Sequence, residues 1–233
     1  MILQEHHFPI YLLPFAKNLD TAPLTHGILK HFLRKNVLLA FVGYLHHLKA
    51  QLVAKGYSQA YDIDYDETFS PVAKMSSVRI CIALAAIHHW SLHQLDVKNA
   101  FLNGVLEQEV YMEQPLRFIV KDKASKVCML RRSLYALKQS PRVWFCRFSS
   151  VMGEFGMVRS ASDYSMFFRH TQGKRIIIVV YVDVIIITGD DEVGITELKQ
   201  FLRSQFQISY LGRLRYFLGI EVSLSPQGIL LSQ

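Results

Sequence analysis

From Ile176 to Ile187 the chain is apolar at every position but Asp183, and most of those residues are isoleucine or valine. β-Branched side chains are stiff about χ1 and favour strands. The run is too short to cross a bilayer as a helix. It reads as two strands, Arg175–Tyr181 and Val184–Thr188, that meet at a tight hairpin with a carboxylate at its tip. A charge inside so apolar a run needs a reason, because a buried carboxylate is costly unless it is paired or bound to metal.

The flanking sequence supplies further elements. Ser76-Ser77 precede an apolar stretch, Val78–His88, that reads as a serine-capped buried helix. Ser91–Val97 is a strand that runs into Asp96, and Val110–Met112 and Val127–Leu130 are short strands. At Ser140-Pro141 a capping residue precedes proline at the first helical position, so a helix runs from there towards Gly156. Tyr164–Arg169 is β-rich, Glu192–Phe206 carries apolar residues at helical spacing, and Leu214–Leu224 returns to strand. The order strand, helix, strand, strand, helix, strand predicts an α+β fold, an antiparallel sheet with helices on one face. Before residue 46 prolines at 9, 14 and 23 break periodicity, and Ile28–Leu45 reads as one apolar helix.

At 233 residues with 51% hydrophobic and 12% aromatic content, the chain can bury a substantial core. Its formal net charge of +7 suits a polyanion or an ordinary basic protein. Cys81, Cys128 and Cys146 lack CxxC spacing and read as reduced core residues of a soluble intracellular protein. There is no phosphate-binding glycine loop, dinucleotide fingerprint or nucleophile elbow. His88, His89 and His93 cluster in sequence, but a break at Trp90 scatters them, which argues against zinc.

Asp96 and Asp183 each close or interrupt an apolar strand. Side by side, they would form an oxygen site for Mg²⁺. From spacing alone, two turn residues at strand ends are the simpler reading.

The sequence blocks around these aspartates decide between the two. Leu95-Asp-Val-Lys-Asn-Ala-Phe-Leu-Asn-Gly104 and Tyr181-Val-Asp-Val184 resemble the palm motifs of copia-type LTR retrotransposon reverse transcriptases. Leu52–Gln59, Tyr65–Ala73, Glu109–Pro115, Ser133–Arg142 and Tyr216–Val222 follow the same family's order. The resemblance implies a right-hand polymerase fragment, fingers and palm over residues 46–233, with residues 1–45 unmatched. Thumb and ribonuclease H segments are expected to be absent, the chain ending soon after the primer grip. It implies RNA-directed DNA synthesis on an RNA or DNA template–primer from deoxynucleoside triphosphates, with two Mg²⁺ ions and no membrane. Asp96, Asp183 and the Val97 carbonyl would be metal ligands. Phe101 would be the steric gate against a 2′-hydroxyl; Lys49, Ser140 and Pro141 would line the nucleotide pocket. Phe217, Leu218, Gly219 and Ile220 resemble the primer grip. Family resemblance places such a protein in a cytoplasmic particle or the nucleus.

This copy departs from the pattern. Val184 stands where the family has a second aspartate, and it offers no oxygen to a metal. Gln51 stands for a common arginine, Ser209-Tyr210 for Lys-Asp, and Ala136 for a glycine that would matter if the turn needs positive φ. Two further readings stay open: an inactive relic that at most binds nucleic acid, and an RNA-binding module stacking bases on Tyr164, Phe167 and Phe168.

Overall fold

The apolar run around Asp183 forms the expected hairpin, and that hairpin is the middle of the largest sheet. The structure is a computed structural model, and it describes residues 19–23, 32–33, 37–44, 47–113, 126–225 and 228–232. The chain divides into two units, residues 1–69 with 101–144 and residues 70–100 with 145–233.

In the first unit, β1 (Leu19–Pro23), β7 (Lys126–Arg132), β6 (Val105–Glu113) and β2 (Phe32–Leu33) form a four-stranded sheet, while β3 (Val37–Tyr44) and β4 (His47–Ala54) pair as a hairpin. The helix expected over Ile28–Leu45 is therefore corrected: the described residues 32–33 and 37–44 are strands. Val37-Leu-Leu-Ala-Phe-Val-Gly-Tyr pairs residue for residue with β4, and cross-strand hydrogen bonding overrides an apolar pattern that suits either structure. The strands expected at Val110–Met112 and Val127–Leu130 form within β6 and β7. Val110 faces Leu130 and Met112 faces Cys128, and these four join Ala54, Leu134 and Leu137 in the unit's core.

The second unit is built on a six-stranded antiparallel sheet. Its order is β12 (Ile208–Arg213), β5 (His93–Val97), β11 (Val184–Gly189), β10 (Lys174–Tyr181), β9 (Met166–Thr171) and β8 (Val158–Arg159). Side chains alternate between faces along each strand. On one face Val179 and Ile186 pack against Val78, Cys81, Ile82 and Ala85 of α1 (Met75–Ile87). Leu214, Phe217, Ile220 and Val222 close the same core; Phe217, Ile220 and Val222 lie in β13 (Tyr216–Phe217) and β14 (Ile220–Ser225), which with β15 (Gly228–Ser232) form a small sheet. On the other face Ile178 pairs with Phe167, whose ring meets Phe148 of α2 (Ser140–Glu154) at 5.7 Å. Phe148 in turn stacks on Phe206, just past α3 (Glu192–Gln205), at 6.1 Å. The expectation of helices on one face is thus wrong; both faces are covered. The reason was in the sequence, since a run that is apolar at consecutive positions rather than alternate ones needs cover on both sides.

The start of α1 is a second correction. Ser76 and Ser77 lie inside its first turn, and no side chain of Lys74, the N-cap residue, closes it. Asp163 does so from the approach to β9: its carboxylate accepts the Lys74 N–H at 3.1 Å and the hydroxyl of Ser77, as well as the Ser165 N–H at 3.0 Å and hydroxyl at 2.6 Å. At the other end His89 takes a left-handed φ of 56°. Of the cysteines, Cys81 and Cys128 are buried as expected, but Cys146 is exposed on the outer side of α2. Among the described residues no helix is long and apolar enough to cross a membrane.

Two outcomes follow. Phe148 has no exposed surface, so Phe148→Ala should cost about 3–5 kcal/mol in urea denaturation, whereas Ile80→Ala on the exposed side of α1 should cost little. Burial raises the Asp163 pKa, but the hydrogen bonds it accepts outweigh this and hold it below the usual carboxylate value. Its contribution is then fully present above the ordinary carboxylate range and is lost as pH falls through the lowered folded value. The urea midpoint of the native chain should drop as pH falls from the ordinary carboxylate range through the lowered folded value, while Asp163→Asn should start lower and vary less over that span.

Candidate active site

Two strands of the second unit deliver the two aspartates. β5 ends in Leu95-Asp96-Val97, with Leu95 and Val97 buried and Asp96 half-buried between them. In β11, Val184 lies directly across from Asp96, and in β12 Ser209 lies across from Asp96 on its other side. Directly paired residues of antiparallel strands share a face, so Tyr181, Val184, Asp96 and Ser209 form one row across four strands. Asp183, one residue before Val184, is half-buried at the hairpin tip, and its carbonyl accepts the Val97 N–H at 2.7 Å. The two aspartates predicted to work together thus lie at one end of neighbouring strands, which the Val97 N–H to Asp183 carbonyl hydrogen bond joins there.

The tip itself is strained. Val182 has φ 54°, a conformation that a β-branched residue rarely adopts. A positive φ at the first central residue of a two-residue hairpin matches the twist of the flanking strands, so the turn takes this form although valine disfavours it.

The predicted primer-grip residues lie in the same unit. They were expected inside one strand, Leu214–Leu224, and instead form a hairpin turn: Phe217 pairs with Ile220, and Leu218 and Gly219 between them have φ 51° and 80°. Two consecutive positive values mark the tight primed turn that a glycine at the second position permits. Phe217 and Ile220 are buried, and the Phe217 ring meets Tyr181 edge-on at 6.2 Å. That contact joins the turn to the strand leading into Asp183. Sequence reasoning placed Tyr181 in the palm motif but gave it no role; its contact with Phe217 is visible only in the fold.

The remaining predicted residues belong to the first unit. Phe101 lies in a short 3-10 turn, Ala100–Asn103, and its ring meets Tyr135 edge-on at 4.8 Å. Its carbonyl accepts the Ser133 hydroxyl. Ser140 is fully buried and donates its hydroxyl to the Leu134 carbonyl at 2.5 Å, so it braces the turn before α2 rather than capping the helix. Pro141 is half-buried beside it. Lys49 pairs with Val42 in the β3–β4 hairpin, and its side chain lies outside the described residues, as does that of Gln51. Ala136 has φ 70°, so the turn does need the conformation that glycine adopts freely. Gly56 packs so tightly against it that a Cβ there would lie 1.9 Å from the Ala136 carbonyl oxygen.

Two carboxylates and a main-chain carbonyl are hard oxygen donors, the chemistry that suits Mg²⁺, which commonly takes one or two carboxylates and completes its shell with water and substrate phosphates. Val184 breaks the row where a third carboxylate would stand. Asp190 and Asp191 cannot replace it, for they sit at the far end of β11. Asp190 accepts the Arg175 N–H, and Asp191 caps α3 by accepting the Gly194 N–H at 2.9 Å. Among the described residues no three His, Cys, Asp or Glu side chains converge as a metal cage.

Comparison with known proteins bears on this geometry. Residues 33–233 match the family described as reverse transcriptase (RNA-dependent DNA polymerase). The retrovirus-related Pol polyproteins from transposons RE2 and RE1 of Arabidopsis thaliana are each 46% identical over 82% of this chain. The corresponding polyprotein from transposon TNT 1-94 of Nicotiana tabacum is 45% identical over 75% of it. The chain spans about 13% of the length of each of these relatives.

Replacing Ala136 by glycine should relieve the left-handed strain at no loss of contact. Ala136→Gly is expected to raise stability by roughly 1 kcal/mol in chemical denaturation.

Proposed function

The chain belongs to the reverse transcriptase family of copia-type retrotransposon Pol polyproteins, and on that premise we propose that it is an RNA-directed DNA polymerase segment weakened by the loss of one carboxylate. Its residues act in a transfer of a nucleotide onto a primer 3′-hydroxyl. Asp96 and Asp183, with the Val97 carbonyl, would hold divalent magnesium. Held there, the metal would supply Lewis-acid chemistry, activation of the attacking hydroxyl and charge stabilisation on the leaving pyrophosphate. The turn at Phe217, Leu218, Gly219 and Ile220 positions the primer end, through the Tyr181 contact, against the hairpin that carries Asp183. Phe101 crowds a 2′-hydroxyl and so selects deoxynucleotides. Lys49 meets the triphosphate, and Ser140 and Pro141 set the turn that faces the templating base. Catalysis in this scheme is positioning and electrostatics.

The observation that carries the reading is the register that seats Asp96 between β11 and β12, one backbone hydrogen bond from the Asp183 tip. With Val184 opposite Asp96, the carboxylates left to hold metal would be Asp96 and Asp183, one fewer than the family pattern supplies. Electrostatic stabilisation by a bound metal is worth several kcal/mol, so the rate falls on the order of a hundredfold or more. A second reading, an inert relic that binds nucleic acid through its basic surface, is favoured by the same Val184. The base-stacking module has less support: Tyr164 and Phe168 are exposed, but Phe167 is buried in the core.

Primer extension with Mg²⁺ on a primed RNA template tests the proposal. Val184→Asp should extend at least about a hundredfold faster than the native chain, and adding Asp183→Asn to that variant should abolish the gain. A folded Val184→Asp protein that extends nothing would leave the relic reading standing.

A further inference from the structure

On the sheet face opposite Asp96, cations gather at the β12 edge, and among the described residues none of them forms an ion pair. Along β5, His93, Leu95 and Val97 point away from Gln94 and Asp96. Arg213 lies directly across from His93, and Tyr210, across from Leu95, brings its hydroxyl within 3.1 Å of His93 Nδ1. From α3 the Lys199 ammonium sits 5.1 Å above the Tyr210 ring. Arg203 follows one helical turn later in the same helix. Four other arginines of the chain, Arg142, Arg147, Arg169 and Arg175, each meet a carboxylate. Among the ion pairs of the described residues, none involves Lys199, Arg203 or Arg213.

The electrostatics agree with the geometry. Loss of solvent lowers the Lys199 pKa, and repulsion by Arg203 adds to it. His93 is held down to about 4, first by burial and then by Lys199 and Arg213, so at neutral pH it is an uncharged member of the group. Like charges drawn together and partly desolvated repel one another, and a bound anion relieves that repulsion. Tyr210 and Leu211 remain exposed beside them on the outermost strand of the sheet.

We infer that Lys199, Arg203, Arg213 and the Tyr210 hydroxyl form a phosphate-contacting surface for a nucleic-acid strand, on the side of the sheet opposite the two aspartates. A phosphodiester oxygen is the ligand this group fits, since the cations supply charge and the hydroxyl supplies a donor without reading sequence. The surface needs neither magnesium nor Asp183, so it is independent of polymerase activity.

The test is anisotropy of a fluorescent 20-nucleotide single strand, a length of about 20 chosen to exceed one binding site, measured in EDTA across a salt series. Lys199→Ala/Arg213→Ala should weaken binding roughly tenfold or more near 0.1 M salt and reduce the log–log salt slope by about 1.4. A control with the same charge change, Arg159→Ala/Lys174→Ala, should do measurably less. Equal losses in the two variants, or no loss in the first, would overturn the inference. A second readout uses the native protein and so does not depend on how the variant folds. The His93 ring, followed by NMR, should titrate at higher pH when the strand is saturating, because phosphate offsets the two cations that depress it. An unchanged His93 titration counts against the surface. Inorganic phosphate at millimolar concentration should not displace the strand; displacement would assign the group to free phosphate and sink the nucleic-acid reading.

Discussion

The pairing of β10 with β11, from Ile176–Gly189 at one end to Tyr181–Val184 at the other, is the constraint on which the second unit rests. Its side chains are buried on both faces, so each face needs its own cover: α1 and the β13–β15 sheet on one, α2 and α3 on the other. A slip of one residue would exchange the two sets of side chains. Gly189 locks the open end, because a Cβ there would lie 2.0 Å from the Arg175 carbonyl oxygen. At the other end of the pair, Val182 takes φ 54°, a conformation that valine resists. The register that fixes Ile176 against Gly189 also places Asp183 at the tip.

The same hairpin explains why the loss at Val184 is chemically simple. Valine suits a strand, and Val184 contacts the apolar cluster that includes Val179 and Ile186. Replacing a carboxylate there removes a charge without opening a cavity or breaking the register. Fold and chemistry are separable at this position, because the strand pairs in register with an apolar residue there. Ala136 is the opposite case: a small change in chemistry, a methyl group, at a backbone position where it strains the turn.

Much of the second unit was legible in the sequence, because long periodic or β-branched runs leave little choice. The hairpin, the helices starting near Met75, Ser140 and Glu192, and the strand into Asp96 all follow from local pattern. What was not legible depended on partners distant in sequence. The pattern of Val37–Tyr44 suits helix or strand equally, and only β4 decides. Ser76 and Ser77 offered a cap that Asp163 supplies instead. Leu218-Gly219 looked like strand interior because a leucine at positive φ carries no local signal. As for the site, the resemblance picked out Asp96 and Asp183, and the fold adds what resemblance could not: the row linking Tyr181, Val184, Asp96 and Ser209.

The cap on α1 has a consequence for how the chain acquires its shape. Lys74 and Asp163 are separated by the whole of residues 101–144, which belong to the other unit. β5 likewise has no sheet neighbour until β11 and β12 exist. During synthesis at about 5–20 residues per second, the early segment of this unit must wait several seconds for the strands that complete it. Until then Val78, Cys81 and Ile82 have no core to enter, and the nascent chain exposes them. Contacts so far apart in sequence close slowly, so assembly of this unit is a late, post-emergence event.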